Sequence, residues 1–227
     1  MGSSTNPPNP PDPLRRPIPQ RTTGWATGIA AALQRAGLKP NHISLASVGF
    51  ALLGCACLVL SAHVDDAVRF LLLVGAAVTI PLRLVCNMFD GMLAVEGGLR
   101  TATGELFNEV PDRLSDLALL AGAGYAASAM DGGVTVGWLA GSLAVLTAYV
   151  RTLGVSAGAG QFFGGVMAKQ QRMWTLMVGI LATVVEPLLN LPRGWMLFVT
   201  LLLIAAGSAL TVATRLRWIA RELKNRG

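Results

Sequence analysis

The chain has twelve acidic residues among 227, and six of them, Asp90, Glu96, Glu105, Glu109, Asp112 and Asp116, fall between positions 87 and 116. On a helix, Asn87 and Asp90 stand at i, i+3 and share a face, while Asn108, Asp112 and Asp116 follow at i, i+4, i+8 and share another. Glu105, Glu109, Asp112 and Asp116 make a single stripe. Carboxylates crowded at low dielectric repel one another and take up protons unless positive charge sits among them. A hard divalent cation meets that need, and Mg²⁺ shares its oxygen ligands readily with phosphates. The chemistry such a cluster allows is phosphoryl transfer, in which the ion neutralises phosphate charge and a free carboxylate deprotonates an attacking hydroxyl. Two other readings stand beside it. The acids could pair with Arg83, Arg100 and Arg113 and only fix helix packing, although three arginines cannot neutralise six acids. They could also serve a proton or cation pathway, although they gather at one depth and do not line a route.

The elements that must position these residues are membrane helices. The chain is 53% hydrophobic and only 13% charged, about half the charge of a soluble domain. Residues 43–62 and 195–214 are each 20 residues without a charge, enough to cross about 30 Å of hydrocarbon. Apolar stretches near 67–94, 106–130, 134–153 and 173–190 add four more. The expected fold is therefore all-α: a bundle of six transmembrane helices with both termini on one side. Of 18 Lys and Arg, only Arg69 and Arg193 lie near the turns of the opposite side, which makes the side of the termini cytoplasmic. The site then faces the cytoplasm from what would be a bacterial inner membrane. Net charge of +6 follows from this topology and from attraction to anionic headgroups, and no nucleic-acid partner is expected.

The expected organisation is a disordered Pro-rich tail (1–23), a juxtamembrane helix (24–40), the six-helix catalytic domain (41–218) and a basic tail (219–227). Residues 87 and 110 count to the same inner edge of hydrocarbon on consecutive spans. Gly91, Ala94 and Gly104 remove bulk where two helices or a ligand come close, and Pro111 frees a carbonyl on the second helix. Asn41 and Ser44 could cap the first span or contact a ligand. Glycines in "SAGAGQFFGG" suggest a mobile loop. Beside it, Arg151, Lys169 and Arg172 could hold a phosphorylated substrate or serve only as topology charges. Cys55, Cys57 and Cys86 form no disulfide or metal framework.

The segment resembles the signature of the CDP-alcohol phosphotransferases, D-x-x-D-G-x-x-A-R, eight residues, then G-x-x-x-D-x-x-x-D. In this chain the fixed positions are Asn87, Asp90, Gly91, Ala94, Val95, Gly104, Asn108 and Asp112, with every spacing kept and five of the eight letters matched. "LKPNHISLASVGF" is similar to the family's entry to its first helix, and "AYVRTLG" with "GGVMAKQQRM" to its acceptor-side basic motifs. The likeness runs over roughly residues 24–218. It implies transfer of a substituted phosphoryl group from a CDP-alcohol, CDP-diacylglycerol foremost, to a hydroxyl acceptor with release of CMP. By the same likeness, Mg²⁺ (or Mn²⁺) is the cofactor, Asp90 a metal ligand and Asp112 the general base. Asn41, Ser44, Gly91, Ala94 and Gly104 would lie on the CDP moiety, and Arg151, Lys169 and Arg172 on the acceptor. Family members are commonly homodimers. The departures fall on chemistry: Asn87 and Asn108 replace two metal-binding aspartates, and Val95 an arginine. Glu109, Glu105 or Asp116 could restore the missing charge around the metal. The alternatives are an inactive relative that binds a CDP-lipid or, further off, a cation- or proton-coupled transporter.

Overall fold

The computed structural model describes residues 23–95 and 104–226, apart from the side chains of Val95, Glu105 and Phe107. The Pro-rich tail, Glu96, Arg100 and the loop expected after residue 95 lie outside the described residues. Seven α-helices make up the described part: α1 (Gly24–Arg35), α2 (Pro40–Ser61), α3 (Asp66–Val95), α4 (Gly104–Ala126), α5 (Gly133–Ser156), α6 (Lys169–Val184) and α7 (Trp195–Arg226). A 3₁₀ turn, Glu186–Leu189, follows α6, and no strand occurs among the described residues.

Helix starts follow local chemistry. Pro40 opens α2 at a position where its missing N–H is not needed. The Asp65 carboxylate accepts the Ala67 and Val68 amides, each at 3.1 Å, and starts α3. Lys39, not Asn41, is the residue before α2, so Asn41 lies inside the first turn and does not cap it.

The helices close a ring in the order α2, α3, α6, α7, α5, α4 and back to α2, with α1 resting on α3. Leu58, Leu73, Ile80, Leu119, Leu176 and Leu201 fill its interior, while Leu45, Leu52, Leu71, Phe70 and Leu203 point outward. An apolar exterior of this kind suits lipid. Against the expectation of six spans, four helices among the described residues, α2, α3, α5 and α7, are long and apolar enough to cross a membrane. The reason is physical: α4 carries Glu105, Glu109, Asp112, Arg113 and Asp116 in its first half, and α6 has only 16 residues.

Where α4 crosses α5, backbone meets backbone. A Cβ on Gly137 would lie 2.5 Å from the Gly124 Cα, and one on Gly124 would lie 2.8 Å from the Gly137 Cα. Small residues at such crossings let dispersion contacts act where lipid offers no hydrophobic drive. Gly137→Leu is expected to cost about 1–3 kcal/mol or more through overpacking, read as a lower thermal midpoint in detergent, whereas Gly28→Leu, which faces open space, should leave it unmoved.

Two polar networks lie at opposite ends of α3, roughly 30 Å apart by helical rise. At its start, buried Arg69 pairs with buried Glu186 at 3.2 Å. Glu186 also accepts the Gly194 and Met196 amides at 2.8 and 2.7 Å, satisfying donors at the N-terminus of α7. Those contacts account for Glu186 as a structural group. The second network, near the end of α3, holds the sequence-selected acids.

Candidate functional site at the ends of α3 and α4

One buried polar chain connects five helices. Ser47 on α2 donates to Asn87 Oδ1 on α3 at 2.6 Å, and Asn87 Nδ2 donates to Asp112 Oδ1 on α4 at 2.7 Å. Arg83, fully buried one turn before Asn87, donates to the Asp112 carbonyl at 3.1 Å and lies 3.4 Å from Asp112 Oδ1. The same guanidinium is 2.7 Å from Asp116 Oδ1. Arg172 on α6 takes Asp116 Oδ2 at 2.5 Å and reaches Thr147 on α5. Lys169, at the first turn of α6, forms an ion pair with Asp112 Oδ2. A further group stands beside it: Glu109 pairs with Arg113 on its own helix and with Arg151 of α5 at 2.5 Å. Arg151 also stacks over the Phe163 ring, 5.4 Å from its centroid.

Asp90 is treated differently from its neighbours. Its Oδ2 accepts the Ser44 hydroxyl at 2.8 Å, and Oδ1 is buried with no hydrogen bond of good geometry. No arginine or lysine forms an ion pair with it among the described residues. Asp112 and Lys169 are close enough to act on its charge. A buried carboxylate oxygen without a donor is costly unless a cation or ligand completes it.

These contacts sort the candidates. Asn87, Asp90 and Asp112 come together where α3 meets α4. Asp116 and Glu109 do not stand free to supply extra charge for a metal, because both carboxylates are already held by arginines. Asn108 is exposed and makes no contact with this chain of bonds. The Glu105 side chain lies outside the described part. Arg172 is 2% exposed and committed to Asp116, so burial removes it from acceptor binding. Ser44 supports Asp90 and is not a helix cap. Gly91 and Ala94 are half-buried beside Asp90, and Gly104 opens α4. Ser47 joins the site without a motif to mark it, although its i, i+3 spacing from Ser44 puts the pair on one face. Arg83 entered that reading only as a packing partner, yet Arg83, Asn87 and Asp90 fall at i, i+4, i+7.

The loop after α5 is tied down, contrary to what its glycines suggested. Buried Arg215 of α7 donates to the carbonyls of Thr147, Phe163 and Gly164 at 2.6, 3.0 and 2.9 Å. Phe162 packs on Trp218 with centroids 6.0 Å apart. Cys55, Cys57 and Cys86 are free thiols.

Among the described residues, no three acids, histidines or cysteines converge as a metal cage. The residue that could hold a hard ion is Asp90 through its open oxygen, with water and phosphate oxygens completing the shell, as is common for Mg²⁺.

No family model matches the chain. It is 27% identical over 192 residues to a phosphatidylinositol phosphate synthase of Mycolicibacterium smegmatis, covering 82% of this chain and 80% of that protein. A shorter stretch of 79 residues is 39% identical to the inner membrane protein YnbA of Escherichia coli, covering 35% and 36% of the two. The fold matches that of the Mycobacterium tuberculosis phosphatidylinositol phosphate synthase PgsA1 with CDP-DAG bound: TM-score 0.69 at 21% identity, over 85% of this chain and 92% of that one. The same enzyme in complex with manganese and citrate also matches with TM-score 0.69, at 22% identity over 85% and 88%.

Proposed function

We propose that this chain is a CDP-alcohol phosphotransferase, which transfers a phosphatidyl group from CDP-diacylglycerol to a hydroxyl acceptor and releases CMP in phospholipid synthesis. One observation carries this reading: Asn87 joins Asp112 directly, one turn from a buried Asp90 oxygen that takes no hydrogen bond among the described residues. In this reading Asp90 is the carboxylate that meets substrate and Asp112 the one held beside it. Likeness to a phosphatidylinositol phosphate synthase, and to one solved with CDP-DAG bound, supports the substrate class.

Mg²⁺ (or Mn²⁺), when bound, supplies charge neutralisation for the pyrophosphate. Asp90 would hold it through Oδ1, with Ser44 keeping the carboxylate aimed. Asp112 receives the proton of the acceptor hydroxyl as the hydroxyl oxygen bonds to the phosphatidyl phosphorus. The phosphorus–oxygen bond to CMP breaks, and CMP leaves with that electron pair. Carboxylate oxygens each offer two lone-pair directions. Asp112 Oδ2 uses one on Lys169 and keeps the other for the hydroxyl, while Asn87 and Arg83 fix Oδ1. The side chain is 12% exposed, so a small alcohol can reach it. Arg151 and Lys169, both partly exposed, flank the acceptor's approach. The CDP moiety lies toward Asn41, Gly91, Ala94 and Gly104.

The ring supports a six-span reading. Helices α4 and α6 stand in it between two pairs of long apolar helices, α2 with α3 and α7 with α5, and counting them as spans gives six crossings. The distribution of Lys and Arg favours cytoplasmic termini and a site on the inner-membrane face.

Purified protein given CDP-diacylglycerol and a panel of alcohols should release CMP only with a divalent ion present. Asp90→Asn should lower that rate at least about 10²-fold at unchanged thermal stability. An inactive lipid-binding relative would bind CDP-diacylglycerol yet release no CMP with any acceptor, and that result would overturn the catalytic reading.

A further inference from the structure

The two aspartates that remain at the signature positions have different partners, and that difference bears on how many metal ions the site takes. Resting on the phosphotransferase reading, we propose that Lys169 stands in for a divalent cation at Asp112, so that the site takes a single metal ion, on Asp90.

Three observations support this. First, Asn87 presents its amide nitrogen to Asp112. An ionised carboxylate only accepts hydrogen bonds, so the NH₂ must face it and the amide oxygen must face Ser47. A nitrogen turned this way cannot ligate a hard cation. Asn87 is thus a donor that holds Asp112. Second, Asp112 already meets two cations and one amide, from Lys169, Arg83 and Asn87. Asp90 accepts from the Ser44 hydroxyl, forms no ion pair among the described residues, and keeps a buried oxygen without a hydrogen bond of good geometry. Third, among the described residues positive charge already outnumbers negative here, with five cations to four carboxylates. Asp90, Glu109, Asp112 and Asp116 lie among Arg83, Arg113, Arg151, Lys169 and Arg172. A divalent ion on Asp112 would have to displace the Lys169 ammonium and sit beside Arg83. The ammonium is a compact point charge, closer to a metal ion than a guanidinium fork is. Lys169 is a positioning residue in this scheme: it holds the base and supplies local positive charge.

The test counts ions directly. Detergent-purified full-length chain would be titrated with Mn²⁺ in the presence of CDP, with bound ion read by electron paramagnetic resonance and CDP by calorimetry. The expected result is one Mn²⁺ per chain, rising to two in Asn87→Asp/Asn108→Asp/Lys169→Met, which returns both carboxylates and removes the ammonium. Two ions in the unaltered chain would overturn the proposal even if the variants do not fold. One ion in both, with the variant folded, would also overturn it, because removal of the lysine should free Asp112 for a metal. Failure to bind CDP or any Mn²⁺ would instead count against the phosphotransferase reading itself.

Discussion

Asp112→Asn is expected to lower CMP release by about 10²–10⁴-fold, the usual loss when a positioned general base is removed, with the fold intact. The substitution keeps the side chain's shape and one oxygen for Lys169, and its new NH₂ can be met by the Asn87 oxygen if that amide turns over and donates to Ser47 Oγ instead. Arg83 retains Asp116 at 2.7 Å and the residue 112 carbonyl at 3.1 Å, so no buried charge is left without a partner. What disappears is the negative charge and the capacity to take a proton. A metal-saturated assay with CDP-diacylglycerol, run beside a thermal melt, separates the two contributions. Activity within threefold of the parent chain would show that Asp112 orients groups without acting as the base.

The largest stability effect should come from Arg83→Met. Arg83 is fully buried and serves two carboxylates on α4, Asp112 and Asp116, while its other nitrogen contacts the Met173 sulfur at 3.2 Å. Methionine fills similar space but leaves Asp116 with Arg172 alone and Asp112 with Lys169 and the Asn87 amide. Removing one partner of a buried ion pair typically costs about 3–5 kcal/mol. For a chain of this size that corresponds to a fall in midpoint on the order of 10 °C. Combining it with Asp116→Asn should recover part of the loss, since the carboxylate that needed the guanidinium is then gone. Strict additivity of the two substitutions would show that they do not interact.

Much of the site was legible before any coordinates. Helical spacing put Asn87 with Asp90, and Asn108 with Asp112, on shared faces, and counting residues across hydrocarbon set 87 and 110 at one depth. The direct bond between Asn87 and Asp112 agrees with that count. The cations were harder to assign. Three arginines were weighed against six acids, but Arg151, Lys169 and Arg172 reach α4 from α5 and α6, more than 40 residues away in sequence. Local periodicity says which face of a helix is polar and not which helix will lie against it. Helix packing therefore turned Glu109 and Asp116 from spare metal ligands into paired anchors. The glycine-rich loop was misjudged for a related reason: its conformational freedom is local, while the guanidinium that holds three carbonyls comes from Arg215 at the far end of the chain. Ser47 carried no signal in isolation, because a serine in an apolar helix is usually satisfied by its own backbone.

The closed ring also sets an order of events at the ribosome. Asp116 leaves the exit tunnel with Arg83 already made, but Arg172 follows only 56 residues later and Lys169 comes 57 after Asp112. At ordinary elongation speeds that is a delay of roughly 3–11 s. During that interval the nascent α4 has one guanidinium for two carboxylates in or beside the bilayer. The acids must stay hydrated or protonated until α6 is inserted, so its arrival completes the partner set for both carboxylates.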